Sequence, residues 1–282
     1  MSLKNEKKPK NNHDATKAIP PEGYREAFIL HLADNALILG HRNSEWTGHG
    51  PILEQDIAIS NIALDLVGQA RNFYQYAAKI MNDTSSPGKE NNLVSEDTLA
   101  YHRDVWDFKN CLLVEQPNGD WAKTILRQFF FSLYQFYLYE ELQFSKDKTI
   151  AAISEKALKE ITYHVKWSSE WVIRLGDGTT ESHARLLQAV EDLWRFTTEL
   201  FIPADYDFEV VSRGIGVDVS LLKPKWYQKL IEIFEEAAIP LSTIEEKKWI
   251  GFYGKTGKHS EHLGYILAEM QFVQRAYPGS EW

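Results

Sequence analysis

The segment from Gly40 to Arg71 constrains the fold more than any other part of the chain. It reads GHRNSEWTGHGPILEQDIAISNIALDLVGQAR, so one helix ends, the chain turns at residues 48–51, and a second helix begins. The second helix is apolar on nearly every side, which predicts that it is buried. Three polar side chains interrupt it at positions i, i+4 and i+8: Asn61, Asp65 and Gln69. Because buried polar groups need partners, this stripe predicts either a metal site or hydrogen-bonded packing inside a helical bundle.

The rest of the chain repeats the helical pattern, and no strand-like alternation of useful length interrupts it. Apolar residues at helical spacing predict helices over about 21–46, 53–81, 120–145, 149–175, 180–200, 226–238 and 262–276. A shorter helix is expected to open at Ser95, and residues 201–224, rich in Gly and Pro, are expected to be an ordered irregular excursion. The chain is therefore predicted to be all-α.

The order of these helices predicts a particular architecture. The first two long helices form a hairpin, a long crossover follows, and the third and fourth long helices form a second hairpin. This is the connectivity of a ferritin-like four-helix bundle, here with extra C-terminal helices. Residues 21–282 are predicted to be one domain, and residues 1–20 to be a disordered polar leader because they are rich in Lys and Asn.

Composition narrows the functional classes. With a net charge of −9, the chain lacks the basic excess that nucleic-acid binding requires. No apolar run of about 18 residues is present, so we expect no membrane span. The chain has one cysteine, Cys111, which excludes an internal disulfide framework and favours a cytoplasmic location. The 9 Trp, 13 Tyr and 14 Phe are many for a helical protein and predict a large aromatic core or interface.

The polar stripe can be compared with the di-iron carboxylate bundles. In these, two helices each give one Glu, and the other two helices each give a Glu-x-x-His pair. Asp34 lies in the first helix and Asp65 follows about 30 residues later, the offset expected for two facing residues of a short-turned antiparallel hairpin. Three residues after Asp65, where the template needs His, the chain has Gly68.

The second hairpin departs from the template as well. Glu160 could be the carboxylate of the fourth helix, but the residue three positions later is Tyr163. His164 follows, turned by ~100° around the helix. At the matching depth of the third helix lies Ser132 rather than an acid.

No residue is therefore assigned as catalytic, cofactor-binding or metal-ligating. The degenerate positions of the template are Asp34, Asp65, Gly68, Ser132, Glu160 and Tyr163. Two interpretations remain open: a working di-iron site, or carboxylates that pair with a nearby Arg or Tyr as buried polar packing. The missing ligands favour the second.

Three further patterns give weaker indications of function. The first, His259-x-x-His262, has the i, i+3 spacing of a metal pair, although a solvated helix start is commoner. The second, His41 and Glu45, favours a pair at a helix C-terminus. The third, Gly214-x-Gly216, lacks the strand and helix of a phosphate loop and indicates a turn.

Long segments of the chain resemble a known family. These are GHRNSEWTGHGPILEQDIAISNIALDLVGQARNFYQYAA, LLVEQPNGDWAKTILRQFF, KEITYHVKWSSEWVIRLGDGT, LWRFTTELF and the C-terminal KHSEHLGYILAEMQFVQRAYPGSEW. They resemble the C component of the bacterial multicomponent phenylacetyl-CoA oxygenases, enzymes that form ring 1,2-epoxides. The likeness covers nearly all of residues 22–282 and leaves the basic leader outside it.

The resemblance implies a non-catalytic structural subunit of phenylacetate degradation. Its partner would be the homologous ferritin-like A component, the catalytic subunit, which carries the di-iron centre; a small subunit and a reductase would complete the assembly. It implies no cofactor in this chain itself. Alone, the chain is expected to self-associate as a homodimer, because an obligate interface seldom stays exposed. The alternatives are an autonomous di-iron oxygenase or oxidase, and a ferritin-like module that binds an acyl-CoA.

Overall fold

The computed structural model describes residues 23–84, 93–244 and 253–280. In this part of the chain the regular structure is helical and no strand occurs, which confirms the all-α prediction. The α-helices are α1 Tyr24–Ser44, α2 Leu53–Asp83, α3 Glu96–Tyr101, α4 Leu112–Glu115, α5 Trp121–Leu142, α6 Lys148–Gly176, α7 Thr180–Leu193, α8 Asp205–Ser212, α9 Lys223–Glu236 and α10 Glu261–Ala276. The predicted leader, residues 1–20, lies outside the described residues.

The four long helices form two hairpins, α1 with α2 and α5 with α6. Side chains at one end of the molecule join all four helices. Trp46, just after α1, donates its indole N–H to Thr124 of α5. Gln55 of α2 accepts hydrogen bonds from the indoles of Trp167 and Trp171 on α6. The hairpins therefore enclose a common interior, as the connectivity predicts; that the bundle is ferritin-like stays a prediction.

Helix α5 supplies much of the hydrophobic core. Three consecutive phenylalanines, Phe129 to Phe131, are buried, because neighbours cover this helix on several sides. Phe130 contacts the rings of Trp194, Trp226 and Phe234, which belong to the C-terminal layer. The aromatic run of α5 thus joins the bundle to the helices that follow it.

Helix α2 is not buried on every side, so that prediction is wrong. One stripe of the helix faces outward and contains large apolar residues that are exposed: Leu53, Ile57, Leu64 and Val67. The opposite stripe, including Ile59, Ile62 and Leu66, packs against α1 and the core. Hydrophobicity predicted that both faces avoid water, but only one of them is covered within this chain.

The segment after α6 differs from the prediction in two places. Helix α7 ends at Leu193, and two short 3₁₀ turns follow it, instead of one helix running to residue 200. Within the predicted irregular excursion the structure has α8, Asp205–Ser212. Its N-terminus is capped by Asp207, whose carboxylate accepts a hydrogen bond from the backbone N–H of Ala204. The Asp and Val residues of α8 are weak helix formers, so helix propensity did not predict this helix.

Among the described helices, none is both long enough and apolar enough to cross a membrane.

Candidate functional site

Asp34 is the best-defined of the predicted site residues. Its carboxylate is buried in the middle of α1. It accepts hydrogen bonds from the Tyr74 hydroxyl at 2.5 Å and from the backbone N–H of Lys109 at 2.7 Å. The guanidinium of Arg103 bonds to both carboxylate oxygens and completes the set. Every acceptor direction of Asp34 is thus occupied by a donor from this chain, as the interpretation of polar packing with Arg and Tyr predicts.

Arg103 is held in place as a cation. Its guanidinium carbon lies 4.2 Å from the centre of the Phe108 ring and 5.4 Å from that of Tyr74. Burial disfavours the charge, but Asp34 outweighs this effect, so the pKa of Arg103 is raised. Burial and the charge of Asp34 also raise the pKa of Tyr74, so its hydroxyl stays protonated and donates.

Asp34 and Asp65 do not face each other, contrary to the predicted register. Asp34 lies opposite Tyr74, nine residues beyond Asp65, a distance of ~13 Å along a helix axis. The first turns of α2 extend past the end of α1, and Gly40 of α1 therefore lies against residues 63–67. The predicted register assumed instead that the two helices meet directly at the turn, without this overhang.

Asp65 and Glu160 instead form two cross-links between α2 and α6. The imidazole Nε2–H of buried His164 donates to Asp65 Oδ2 at 3.0 Å. One turn along, the amide of Gln69 donates to Glu160 Oε2 at 2.9 Å. The turn of ~100° from the template position at Tyr163 thus places His164 on the face of α6 that meets α2. Its actual partner lies at the edge of the bundle, where the Asp65 side chain is 36% exposed.

Ser132 lies in a separate buried chain of hydrogen bonds. The amide of Gln128 donates to Ser132 Oγ at 2.6 Å, and the amide of Asn43 donates to Gln128 Oε1 at 2.7 Å. This chain links α1 to α5 with neutral groups only. It has no carboxylate, in keeping with the substitution read from the sequence.

Gly68 and Tyr163 lie at the surface rather than in the interior. A Cβ added to Gly68 would have no atom within 4 Å, and Tyr163 is exposed. A histidine at residue 68 would therefore point to solvent. The sequence placed both residues at lost metal-ligand positions inside the bundle, and this placement is wrong for both.

The three candidate carboxylates, Asp34, Asp65 and Glu160, each bond to a different protein side chain. In the described residues, no group of three or more His, Cys, Asp or Glu side chains is placed to hold a metal ion. Asp34 is paired with a cation, and Asp65 and Glu160 are separated from it by the register of the helices. A di-iron centre does not fit these side chains, because its carboxylates are already bound to protein donors.

The three weaker candidate patterns from the sequence have different outcomes in the structure. His259 is buried and hydrogen-bonded to Glu115, while His262 is part-exposed, so the two do not form a metal pair. Glu45 pairs with Arg42 and Asn118 instead of His41. Gly214, with φ +70°, follows α8 in a turn, as its pattern indicates.

Sequence reasoning missed a second buried polar cluster near the C-terminus. Glu115, Glu199 and Lys255 are all buried, as is Asp207 of α8. Glu115 and Glu199 each have a partner more than 50 residues away in the sequence. The available signal was the run LLVEQ, in which Glu115 interrupts apolar residues, but nothing local to the run shows which residue would pair with it.

Comparison with known proteins identifies the family. The model of the family described as Phenylacetic acid catabolic protein matches residues 13–282. The chain belongs to this family. It is 44% identical over 256 residues to the C component of the 1,2-phenylacetyl-CoA epoxidase of Escherichia coli (strain K12), covering 91% of this chain and 98% of that protein. The family match begins inside the predicted leader, so the leader is not wholly outside the likeness.

Proposed function

We propose that this chain is the structural, iron-free subunit of a phenylacetyl-CoA 1,2-epoxidase in aerobic phenylacetate degradation. In this proposal it has a ferritin-like fold and pairs in the cytoplasm with a homologous catalytic subunit that holds the di-iron centre, together with a small subunit and a reductase. The observation that carries the proposal is the bond of Asp34 to Arg103. The relationship to a component of an epoxidase supports the pathway.

The chemistry of Asp34 explains why this bond matters. A di-iron centre needs carboxylates from all four helices and two imidazoles, with open positions for dioxygen. Here the buried carboxylate of Asp34 already has a guanidinium, a phenol and a backbone N–H as hydrogen-bond donors. A metal ion at this point would have to displace a buried cation and would be repelled by it. The Asp34 side chain thus acts in packing, and no reaction step is assigned to this chain.

The outward stripe of α2 supports pairing with another subunit. Leu64 is 70% exposed and Ile57 is 53% exposed, and both lie on one face with Leu53 and Val67. At Gly68 the backbone of this face is uncovered. Contiguous exposed apolar residues of this kind mark protein contact sites, and an open glycine allows a partner helix to approach closely. We assign this α2 face, residues 53–68, to the catalytic subunit.

The iron content of the purified chain tests the structural role. We expect well below one iron per chain after iron-supplemented expression, and no oxidation of phenylacetyl-CoA without a second ferritin-like subunit. Elemental analysis and product chromatography measure these two quantities. About two irons per chain, or epoxide formed by the chain alone, would contradict the proposal. Tight binding of the CoA ester without turnover would favour the acyl-CoA-binding alternative.

A matched pair of variants tests the contact face. Leu64 and Leu221 are both 70% exposed, but only Leu64 lies on the α2 face. We expect Leu64→Arg to reduce co-purification with the catalytic subunit at least tenfold, because the interface would bury an unpaired charge. Leu221→Arg should leave it unchanged. Size-exclusion chromatography of the co-expressed chains measures the effect; equal behaviour of the two variants would place the interface elsewhere.

A further inference from the structure

The C-terminal part of the chain, residues 253–280, forms a strap that comprises a short segment and α10. His259 of this strap is enclosed between two acceptors. Its Nδ1 lies 2.8 Å from Glu115 Oε2, and its Nε2 lies 2.9 Å from the carbonyl oxygen of Phe108. A carbonyl oxygen can only accept. With Glu115 ionised, both ring nitrogens therefore carry protons and the imidazole is a cation.

Glu115 also accepts hydrogen bonds from two other donors near this cation. Its Oε1 accepts a hydrogen bond from the backbone N–H of Ser260 at 2.7 Å. Its Oε2 also accepts one from the amide of Asn110 at 3.0 Å. The side chains of Glu115 and His259 are both fully buried, so no solvent screens the pair. Removal of the proton from His259 would leave a buried carboxylate without its counter-charge.

A second contact between the strap and the body of the protein uses Glu199. One oxygen of Glu199 accepts from the backbone N–H of Leu112 at 2.7 Å, and the other accepts from the backbone N–H of Lys255 in the strap at 3.3 Å. The Lys255 ammonium donates to the carbonyl of Ile202 at 2.9 Å and lies 4.0 Å from Asp207. The strap is thus anchored through a buried carboxylate and a buried ammonium besides His259.

The backbone of the strap fits closely against the crossover. A Cβ at Gly254 would overlap the carbonyl of Asn110, and one at Gly257 would overlap that of Trp106. Gly257 also has φ +82°, which only glycine adopts without strain. The strap therefore fits against the crossover only with glycine at these two positions.

We propose that the strap is a proton-locked clasp: it seats with the uptake of a proton by His259, and it withdraws more often as the pH rises. The titratable groups facing His259 are Glu115 and, farther off, Glu199. Those facing Glu199 are Lys255 and Glu115. Burial raises the pKa of the Cys111 thiol, and the charges of Glu199, Asp207 and Glu115 act in the same direction, whereas Lys255 lowers it.

The direction follows from linkage. Burial acts to lower the pKa of His259, but the hydrogen bond and charge of Glu115 outweigh it and raise the pKa. Burial raises the pKa of Glu199 to about 7 and also raises the pKa of Asp207, but Lys255 of the strap lowers both, so these two groups do not set the direction. His259 belongs to the strap and meets solvent when the strap withdraws, so its ring binds a proton more tightly in the seated state. The clasp is therefore fully stabilised below the ordinary pKa of His259 and weakens as pH rises through the raised value.

Withdrawal would release α10 from the crossover. The amide of Gln271 donates to the carbonyls of Ala100 and Arg103, and Arg275 pairs with Asp104. Leu263 and Leu267 of α10 are buried in the same contact. Hydrogen exchange of α10 amides therefore reports the opening of the clasp.

Hydrogen exchange of the full chain between pH 6 and pH 9 tests the proposal. After correction for intrinsic exchange, we expect the protection of α10 amides to fall as pH rises, by up to about tenfold per pH unit for each proton released on opening. Amides in the middle of α5 serve as the internal reference and should stay protected. Protection of α10 that is independent of pH would overturn the proposal.

Two variants separate the clasp from general stability. His259→Gln should show low α10 protection at pH 6 and little change up to pH 9, and at one fixed pH a maleimide should label Cys111 faster than in the wild type. His262→Gln, one turn along and outside the cluster, should behave as wild type. If His259→Gln does not fold, nitrogen NMR of the wild-type ring decides. A single protonated nitrogen on His259 at pH 6 would refute the clasp.

Discussion

At the scale of single residues, the pairing of Asp34 explains most about this chain. The sequence identified Asp34 as a buried carboxylate in need of a partner, and the structure confirms it. It could not identify Arg103, which lies 69 residues away in the crossover. The crossover has no long periodic helix that would indicate which side chain points inward. Partners of buried charges are set by tertiary packing, and one sequence gives little information about that.

The energetic weight of this pair can be measured. Asp34→Ala removes one partner of a buried ion pair and leaves Arg103, Tyr74 and a backbone N–H without their acceptor. We expect the free energy of unfolding to fall by ~3–5 kcal/mol. Arg185→Ala, which breaks the exposed pair with Glu181, should change it by less than ~0.5 kcal/mol. Urea unfolding followed by circular dichroism compares them. Similar losses in both variants would show that Asp34 has no special role.

At the scale of elements, helix α2 shows both what periodicity predicts and where it fails. The sequence correctly placed a long helix from residue 53, and the structure extends it to Asp83. The prediction of complete burial failed because hydrophobicity alone does not distinguish a face that packs in the core from an apolar face that stays exposed in this chain. The predicted register of α1 and α2 failed as well. Near its start, α2 bonds through Gln55 to Trp167 and Trp171 of α6, 112 and 116 residues away, and such contacts are not visible in local sequence.

Two glycines allow a test of the α2 face that includes its own control. Gly68 in α2 and Gly264 in α10 both have open space where a Cβ would lie. We expect Gly68→Ala and Gly264→Ala each to stabilise the isolated chain by about 0.5–1 kcal/mol, because alanine favours a helix. Only Gly68→Ala should weaken pairing with the catalytic subunit, by ~1 kcal/mol or more, through overpacking. Thermal melts and titration calorimetry measure the two effects; equal pairing by both variants would contradict the assigned face.

At the scale of the whole molecule, the sequence predicted the all-α class and the two hairpins because helical periodicity and turn residues are local signals. It did not predict how residues 253–260 insert into the crossover. That arrangement joins Glu115 to His259 across 144 residues. The sequence favoured a solvated helix start for His259 and assigned no role to Glu115, and only the folded chain shows that both side chains are buried.

The buried titratable groups predict how stability depends on pH. Burial, with the nearby Lys255, lowers the pKa of His31 to about 3, which by itself makes stability fall as pH drops below 6.5. Burial raises the pKa of Glu199 from 4.5 to about 7 and also raises the pKa of Asp207, which by themselves make stability rise as pH drops through the same range. Above pH 6.5 the raised pKa of His259 removes stability. The melting temperature should therefore not fall as pH drops from 6.5 to about 4.5, and it should fall as pH rises above 6.5. In His31→Gln the compensation is lost, so the melting temperature should rise clearly as pH drops from 7 to about 4.5. A wild-type melting temperature that rises from pH 6.5 to pH 9 would disprove this.

The Asp34–Arg103 pair has a consequence for the order of folding and assembly. A fold that neutralises this buried carboxylate with its own arginine needs no metal ion at that position to bury the charge. In the assembly proposed above, the chain would then reach its folded state independently of iron supply, and its α2 face would be formed before any partner is loaded with metal.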